Sequence, residues 1–470
     1  MPLILGTNSI KDTGYNVANS CRFNDGDSSY LSQSTSSSTG KIFTLSFWMK
    51  KSTDSSTGII FIMSSDSVSH NYIEIATKSA NGLDVQLKNG SGGTFLRRKL
   101  NRLFRDFSAW MHVCIRFDST NGTAGNRLRI YVNGTQETDI DVDSTPDVPE
   151  DYVTDFNNSS TINIARNLND SSYYDGYLAE MVLVDGSSLA PTSFGEFDED
   201  SPTIWKPINV SGLTFGTNGF YLDFEDSGDL GDDESGQGND FTETNLAETD
   251  QATDTPTNNF CTMNSNNAHG TVTFAEGNIQ VNVANNTDNA SGTFFVDKGK
   301  WYVELKYTAQ GGSDDLIMFG IRPDTMDIFQ DNLFNLTGTG QGLYYYGDSG
   351  NQRPANTSYG NGVDLNDILG VYIDLDNNKL YFAINGTVQA SGAGIDIPTT
   401  SDYYTFSFTS GGQSDTAQVN FGGCPTYTIS SGNADANGYG NFEYDPSAGT
   451  FDSASKDFYS MCTKNLAEFG

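Results

Sequence analysis

Apolar and polar residues alternate one by one through many short stretches of this chain. FTLSFWMKKS (43–52) and WYVELKY (301–307) each place their apolar residues at every second position. Successive side chains of a β-strand point to opposite faces, so a period of two predicts strands that are half-buried in a core. The residues predicted to face a core are Phe43, Leu45, Phe47, Met49, Trp301, Val303, Leu305 and Tyr307. Helical periodicity is nearly absent, which is typical of all-β sandwiches.

Two hairpins have nearly the same sequence. RLRIYVNGT (127–135) and KLYFAINGT (379–387) both run into Asn-Gly. Asn-Gly is favoured where both central turn residues need a positive φ, so each pair predicts a tight hairpin turn. Another alternating strand precedes each copy, HVCIRFD (112–118) and GVYIDLD (370–376). The sequence therefore predicts a three-stranded meander twice.

The chain is too long for one hydrophobic core. Its 470 residues exceed the size that a single core usually serves, and two domains are the expectation. Between the two meanders, an acidic, Gly-rich stretch from 223 to 260 has little alternation, which indicates a connector. We therefore predict a first sandwich at 1–205, a connector at 206–265 and a second sandwich at 266–470.

The charge balance excludes some partners. Asp and Glu number 60 against 25 Lys and Arg, for a formal net charge of −35. Such a field repels phosphate backbones, so no nucleic-acid partner is expected. The start lacks a basic signal region, and no apolar run approaches the length that spans a bilayer. We expect folding in a cytoplasm and no membrane insertion.

One segment is densely basic. LRRKLNRLFRDF (96–107) has leucines and phenylalanines at helical spacing, which would suit an amphipathic helix. The alternative is a strand and loop whose basic side chains pair with carboxylates of the same protein. We favour this alternative because acidic residues are abundant and surface pairs form easily.

The first half of the chain resembles a laminin-G-like, concanavalin-A-type sandwich. The resemblance spans about 20–200 and is carried by FTLSFWMKKS, by SAWMHVCIRFDSTNGTAGNRLRIYVNG and by INIARNLNDSSYYDGYLAEMVLVDGSSL. The residues at the centre of these motifs are Trp48, Trp110, His112, Gly134, Gly176 and Glu180.

The second half resembles a SPRY domain from about 270 to 470. GKWYVELKY, FGIRP, DILGVYIDLDNNKLYFAING and VNFGG carry this resemblance. Together the two resemblances imply an all-β protein of two concanavalin-A-like antiparallel β-sandwich (jelly-roll) domains in tandem.

Three further stretches are distinctive: the beginning GTNSIKDTGYNVANSCRFNDGDSSYL, the segment LGDDESGQGNDFTETNLAETDQATDTPTNNFCTMN (230–264) and the ending FYSMCTKNLAEFG. With these stretches, the whole arrangement is similar to structural proteins of tailed phages of marine bacteria. This likeness implies a virion protein made in the host cytoplasm and displayed as a tail fibre, spike or head appendage. Its expected partners are other virion proteins, further copies in a homo-oligomer such as a trimer, and a host cell-surface glycan or protein. The alternatives are a purely architectural protein that decorates the capsid or bridges tail parts, and a polysaccharide depolymerase.

Catalytic motifs are missing from the sequence. Concanavalin-A-like glycosidases present paired carboxylates as E-x-D-x-x-E, and the two stretches that begin this spacing have Val142 and Ser201 at its last position. None of the three histidines lies near a G-x-S-x-G elbow. By resemblance, His112 is a packing residue of the laminin-G-like sandwich. We expect no enzymatic activity.

Two groups of residues are candidates for ligands. In GLYYYGDSGNQRPANTSYGNG (342–362), Tyr344 and Tyr346 share one face of a strand and Tyr359 follows in a loop, which suits stacking against sugar rings. The alternative is that these tyrosines only cover the sandwich or a subunit contact.

No cofactor is expected apart from calcium, for which the acidic stretch offers hard oxygen ligands at Asp226, Asp229 and Asp232. No EF-hand spacing appears there, and the alternative is a solvated linker.

Overall fold

The computed structural model describes residues 12, 14–53, 57–64, 72–78, 82–88, 94–143, 147–154, 159–312, 316–326, 342–399, 401 and 403–470. The chain divides into two units, Thr13–Thr257 and Asn258–Gly470, the latter together with Asp12. Within these described ranges, β-strands are almost the only regular secondary structure of both units. Among the described residues no helix has the length and apolar character needed to cross a bilayer.

The strands of the first unit form two large antiparallel sheets and one small hairpin. They are β1 (Ser20–Phe23), β2 (Tyr30–Ser34), β3 (Ile42–Lys51), β4 (Gly58–Ser64), β5 (Tyr72–Lys78), β6 (Gly82–Lys88), β7 (Thr94–Leu103), β8 (Met111–Asp118), β9 (Leu128–Val132), β10 (Thr135–Gln136), β11 (Ile140–Asp143), β12 (Thr161–Ile164), β13 (Gly176–Asp185), β14 (Gly195–Phe197), β15 (Trp205–Pro207), β16 (Phe220–Leu222), β17 (Thr242–Thr244) and β18 (Gln251–Ala252). The first sheet has the order β10-β9-β8-β3-β13-β1-β18, with β16 also beside β13, and the second has the order β11-β7-β6-β5-β4-β12-β2-β17. Strands β14 and β15 form the hairpin.

The two large sheets of the first unit share one hydrophobic core. Phe43, Leu45, Phe47 and Met49 of β3 all lie in it, none more than 2% exposed, as the alternation predicts. The opposite face of β3 is buried as well, so the prediction of a half-buried strand is wrong on that side. The reason is that residues following β13 cover the outside of this sheet with a second apolar cluster, which includes Phe194, Val210 and Phe215.

The second unit is also a pair of sheets. Its elements are β19 (Met263–His269), β20 (Val272–Ala275), β21 (Gln280–Val283), β22 (Asn289–Gly292), β23 (Lys300–Ala309), β24 (Ile317–Pro323), β25 (Leu343–Tyr346), β26 (Asn351–Arg353), β27 (Thr357–Ser358), β28 (Ile368–Asp374), β29 (Lys379–Ile384), β30 (Thr387–Val388), β31 (Ile395–Asp396), β32 (Tyr404–Ser410), β33 (Asp415–Asn420), β34 (Tyr459–Ser460) and α1 (Thr463–Phe469). One sheet has the order β19-β22-β32-β24-β25-β26-β27 and the other β20-β21-β33-β23-β28-β29-β30, with β31 beside β29 and β34 beside β23. All these pairings are antiparallel except that of β34 with β23.

The core of the second unit again follows the predicted alternation. Trp301, Val303, Leu305 and Tyr307 of β23 are all fully buried between the sheets. The outward face of β23, β28 and β29 is buried too, because a long C-terminal segment lies over its tyrosines. The rings that form this outer layer are Tyr302, Tyr372, Tyr381, Phe442, Phe451 and Phe458.

Both predicted Asn-Gly turns are present. Asn133 and Gly134 have φ of +46° and +74°, and Asn385 and Gly386 have +48° and +75°. Each turn glycine also lies under an aromatic ring: a Cβ on Gly134 would overlap Trp205, and one on Gly386 would overlap Tyr444. Glycine is therefore required at these turns by close packing as well as by backbone conformation.

The segment predicted as a connector, 206–265, belongs mostly to the first unit. Strand β16 pairs with β13, β17 pairs with β2 and β18 pairs with β1. Leu230 and Phe241 lie in the core of the first unit. The division between units falls after Thr257, so the prediction of a separate connector does not hold for 206–257. Its strands have only two or three residues between Asp and Gly turns, which is too short to give a visible alternation.

Candidate functional site

His112, on β8, packs between the rings of Trp48 and Trp205 and is fully buried. Trp205 Nε1 donates a hydrogen bond to His112 Nδ1 over 3.1 Å, so the proton of the neutral ring lies on Nε2, 2.8 Å from Ser46 Oγ. Burial lowers the pKa of His112 to about 3. A neutral, fully buried ring with both nitrogens occupied has the geometry of a packing residue.

Trp110 donates a hydrogen bond to the carboxylate of a buried ion pair in the first unit. Its indole Nε1 donates to Asp254 Oδ1 over 2.9 Å, and Lys50 Nζ lies 2.6 Å from Asp254 Oδ2. The Lys50 and Asp254 side chains are each 1% exposed. Sequence reasoning missed this pair because Asp254 lies in the segment predicted as a connector. The ion pair attaches the last residues of the first unit, where Asp254 lies, to β3, a central strand of its first sheet.

Glu180 is a second buried carboxylate of the first unit. It lies in a bulge of β13 with a φ of +48°. The hydroxyl of Tyr221 is 3.0 Å from both of its carboxylate oxygens, and the hydroxyl of Tyr15 is 3.4 Å from Oε2. Burial is the main cause that raises the pKa of Glu180 to about 8, and the nearby Asp223 and Glu225 add to it. This carboxyl group is therefore largely protonated at neutral pH.

Glu180→Gln is expected to flatten the pH dependence of stability in the first unit. An acid with a higher pKa in the folded chain holds its proton more tightly when folded, so its contribution is complete below pH 4.5 and is lost as the pH rises through about 8. Urea unfolding midpoints should match the unsubstituted protein at pH 4.5 and exceed it at pH 9. Glu199→Gln, at an exposed position, is the matched control. Equal slopes against pH for both variants would contradict the assignment.

The basic segment is a strand, and its charges are paired. The amphipathic-helix interpretation is wrong, because residues 96–103 of the segment belong to β7 in the second sheet of the first unit and residues 104–107 follow it in a loop. The alternative interpretation is confirmed: four of its basic side chains reach carboxylates of the same unit at 2.5 to 2.7 Å. These pairs are Arg97 with Asp84, Arg98 with Asp147, Lys99 with Asp141 and Arg102 with Glu137.

The three tyrosines predicted to bind a ligand lie in two different environments. Tyr344 and Tyr346, on β25, are 2% and 6% exposed and pack with Met318 and Met326. Tyr345 points into the main core of the second unit, so both faces of this strand are covered. The expectation of an exposed tyrosine face therefore does not hold for Tyr344 and Tyr346.

Tyr359 is half-buried and lines an open groove of about 780 Å³ in the second unit. Its ring contacts Tyr345 and Phe382 edge-on, and its hydroxyl donates to the backbone oxygen of Ala393 over 2.6 Å. We call this the Tyr359 groove. Its walls include Leu343, Gln352, Ser358, Ile395 and Asp396.

The Tyr359 groove offers both apolar and polar contacts. Asp396 lies at the edge of the groove, where its side chain is 88% exposed and forms an ion pair with Lys379 Nζ at 2.6 Å. Gln352, on β26, adds an amide, and the exposed Ser358 adds a hydroxyl. An aromatic ring beside amide, hydroxyl and carboxylate groups is the usual composition of a sugar-binding surface.

The predicted calcium ligands form consecutive turns in the first unit. Asp226 accepts a hydrogen bond from the backbone N–H of Gly228, and Asp229 from that of Gly231. Burial and the charges of Asp240, Asp229 and Asp226 raise the pKa of Asp232. Within the described part of the chain, no three Asp, Glu, His or Cys side chains are grouped as a metal site. Calcium binding here stays a prediction.

A family model described as the concanavalin A-like lectin/glucanases superfamily, Laminin_G_3, matches residues 25–190, which lie in the first unit. Among solved structures, the SPRY domain of human HERC1 is similar at 11% identity over 35% of this chain and 99% of that chain, with a TM-score of 0.27. The native heptameric SAP-like pentraxin from Limulus polyphemus is similar at 15% identity over 38% and 80%, with a TM-score of 0.28. A human SPRY domain is similar at 12% identity over 30% and 90%, with a TM-score of 0.23. No curated protein matches this chain.

The chain is nearly all-β, and each of its two units consists mainly of antiparallel β-sheets that pack around a core, as the sequence predicts. A likeness to the concanavalin A-like lectin/glucanases superfamily is found for residues 25–190 of the first unit. The matched family model covers β2 to β13 of the first unit, where Trp48, Trp110 and His112 lie.

Proposed function

We propose that this protein is a structural protein of a tailed-phage virion that adheres to a host-surface glycan or protein without catalysing a reaction. The observation that carries the adhesive part is the Tyr359 groove, because it combines a half-buried ring with exposed polar groups on rigid strands. Residues at element ends on a stable sandwich are suited to recognition. The sequence likeness to phage structural proteins, which runs through the 230–264 stretch, supports the virion location.

Adhesion by a single open groove would be weak. Several copies on one particle raise the effective concentration of the groove at the host surface, so avidity increases binding without further contacts. A homo-oligomer such as a trimer therefore fits the proposed role, since phage adhesion devices commonly close with that symmetry. Size-exclusion chromatography with light scattering on the full chain measures this directly, and a stable monomer would favour a decoration protein.

The groove can be tested with a matched pair of variants. Asp396→Ala combined with Gln352→Ala removes two of its polar groups, and we expect at least about a tenfold loss of binding to cells from a panel of marine bacteria, in line with two lost hydrogen bonds. Lys379→Met removes only the ion-pair partner of Asp396 and is the control. Binding of labelled full-length protein to cells and to their extracted surface polysaccharide is the measurement.

Four outcomes would contradict the proposal or part of it. Equal binding by the double variant and the control would exclude the Tyr359 groove as the adhesive site. Antibodies that fail to label phage particles from the same hosts would exclude the virion location. Release of reducing sugar from the polysaccharide would identify a depolymerase. Labelled particles without any cell binding would support the architectural alternative.

A further inference from the structure

A second groove lies in the second unit, where the C-terminal residues return to the sheet. Strand β34 pairs in parallel with the beginning of β23, with Tyr459 opposite Trp301, and α1 follows it. The groove has a volume of about 340 Å³, and we call it the C-terminal groove. Its lining includes Lys300, Asp376, Lys456, Asp457, Tyr459 and Phe469. None of these residues lines the Tyr359 groove.

One wall of the C-terminal groove is aromatic. The rings of Tyr459 and Phe469 stack with their centroids 4.0 Å apart and an angle of 17° between their planes. Both side chains are half-buried, because they pack against the core on one side and line the groove on the other. Such a stack gives a ligand a flat, rigid apolar surface that is already in place before binding.

The polar groups of the C-terminal groove are arranged as ion pairs. Lys300 Nζ lies 2.6 Å from Asp376, which also accepts the backbone N–H of Gly299 over 2.9 Å. Lys456 Nζ lies 2.8 Å from the buried Asp374. An ammonium group carries three N–H donors, so Lys300 keeps donors for a ligand after pairing with Asp376.

Lys456 is held in a short chain of hydrogen bonds. Its ammonium lies 2.6 Å from the hydroxyl of Tyr381, which in turn donates to Asp452 over 2.7 Å. Together with the bond to Asp374, this fixes the position of the ammonium at the wall of the groove. The groove therefore presents donors and acceptors whose positions are set by their own partners.

The charges and the shape together select the ligand. Lys300 and Lys456 are already neutralised by carboxylates, and Asp457 adds a further negative charge, so an anion gains little here. An apolar ligand would cut the remaining N–H donors of Lys300 and the exposed carboxylate of Asp457 off from water without replacing those hydrogen bonds. A sugar ring satisfies both requirements, because its hydroxyls accept from ammonium groups and donate to carboxylates while its C–H face stacks on aromatic rings.

We propose that the C-terminal groove binds one neutral pyranose unit of a glycan. A volume of about 340 Å³ lies at the small end of the range for ligand pockets and suits one sugar unit rather than an extended chain. The inference rests on the proposed function in taking a glycan as the ligand, but it concerns a separate groove. The two grooves would then contact different units of one glycan or two glycans.

Saturation-transfer NMR on the full-length protein tests this assignment. The probes are the methyl glycosides of glucose, galactose and mannose, with methyl glucuronide as the anionic comparison. We expect saturation transfer to at least one neutral glycoside and at least a fivefold weaker signal in the Lys300→Met, Asp457→Asn double variant. Lys99→Met together with Asp141→Ala removes a Lys–Asp pair of the first unit, at 2.5 Å and similarly exposed, and should leave the signal unchanged.

A second variant probes the aromatic wall. Phe469→Leu keeps an apolar side chain at the end of α1 but removes the stack, and we expect it to weaken the transfer to ring C–H protons while the urea midpoint changes little. Absence of transfer to every neutral glycoside, transfer to the glucuronide alone, or equal signals in both double variants would overturn the inference. Cell binding that depends on Asp396, without saturation transfer to any neutral glycoside, would contradict only the assignment of sugar binding to the C-terminal groove. Transfer that depends on Lys300, with cell binding unaffected by the Asp396 and Gln352 substitutions, would overturn only the Tyr359 groove.

Discussion

Replacing Asp254 by alanine is expected to destabilise the first unit by about 3–5 kcal/mol. Asp254 receives Lys50 Nζ at 2.6 Å and the indole N–H of Trp110 at 2.9 Å, and both charged side chains are 1% exposed. Removing one partner of a buried ion pair leaves the other charge desolvated and uncompensated, and this accounts for most of the expected loss. The indole N–H loses its acceptor in the same substitution.

Urea unfolding of the full chain, followed by tryptophan fluorescence, measures this loss, because Trp110 lies beside the substituted residue. Asp151→Ala is the matched control: its partner Lys41 lies at 3.0 Å, but the two side chains are 35% and 65% exposed, and we expect a change below about 1 kcal/mol. The double variant Lys50→Met, Asp254→Leu replaces the pair by apolar groups and should be less destabilised than Asp254→Ala. Similar losses for Asp254→Ala and Asp151→Ala would show that the buried pair is not maintained in solution.

Asp254 also illustrates what the sequence could and could not predict. The alternation of Phe43, Leu45 and Phe47 predicted their core positions correctly. Every second residue of a strand points to the same face, so a strand that packs on a core has apolar residues at every second position. Lys50 also lies on β3, but its partner is 204 positions away. Contacts over such separations leave no periodic signal, so neither the pair nor the role of the predicted connector could be read from a single sequence.

The candidate grooves show the same distinction. Tyr359 was predicted from its Gly/Asn-rich surroundings, which indicate an exposed loop, and it does line a groove. Tyr344 was predicted on the assumption that one face of an alternating strand is open. That assumption fails, because Met318 and Met326 pack with Tyr344 and Tyr346 and cover this face. One sheet in each unit also has its outer face covered, by segments that lie outside the sheets. The C-terminal groove could not be predicted, since it forms only where β34 and α1 return to residues about 160 positions earlier.

Among the carboxylates of the second unit, we expect substitution of Glu304 to cause the largest loss of stability. Glu304 is fully buried on β23 and accepts five hydrogen bonds. The donors are the hydroxyls of Tyr302 and Tyr427, the side-chain amide of Asn420 and the backbone N–H groups of Glu443 and Tyr444, at 2.8 to 3.3 Å. These bonds attach the C-terminal segment to the outer face of the sheet, where Tyr444 also packs against Gly386.

Glu304→Ala should therefore destabilise the second unit by roughly 3–6 kcal/mol, since each buried donor left without an acceptor costs about 1–3 kcal/mol and the two backbone N–H groups cannot turn elsewhere. Glu304→Gln keeps the shape and one good acceptor, so a smaller loss is expected. Urea unfolding gives the size of the effect, and limited proteolysis gives its location. We expect new cleavage between 421 and 458 in the alanine variant but not in Glu468→Ala, at an exposed position of α1. A large loss of stability without new cleavage there would mean that Glu304 supports the core of the sandwich rather than the attachment of its C-terminal layer.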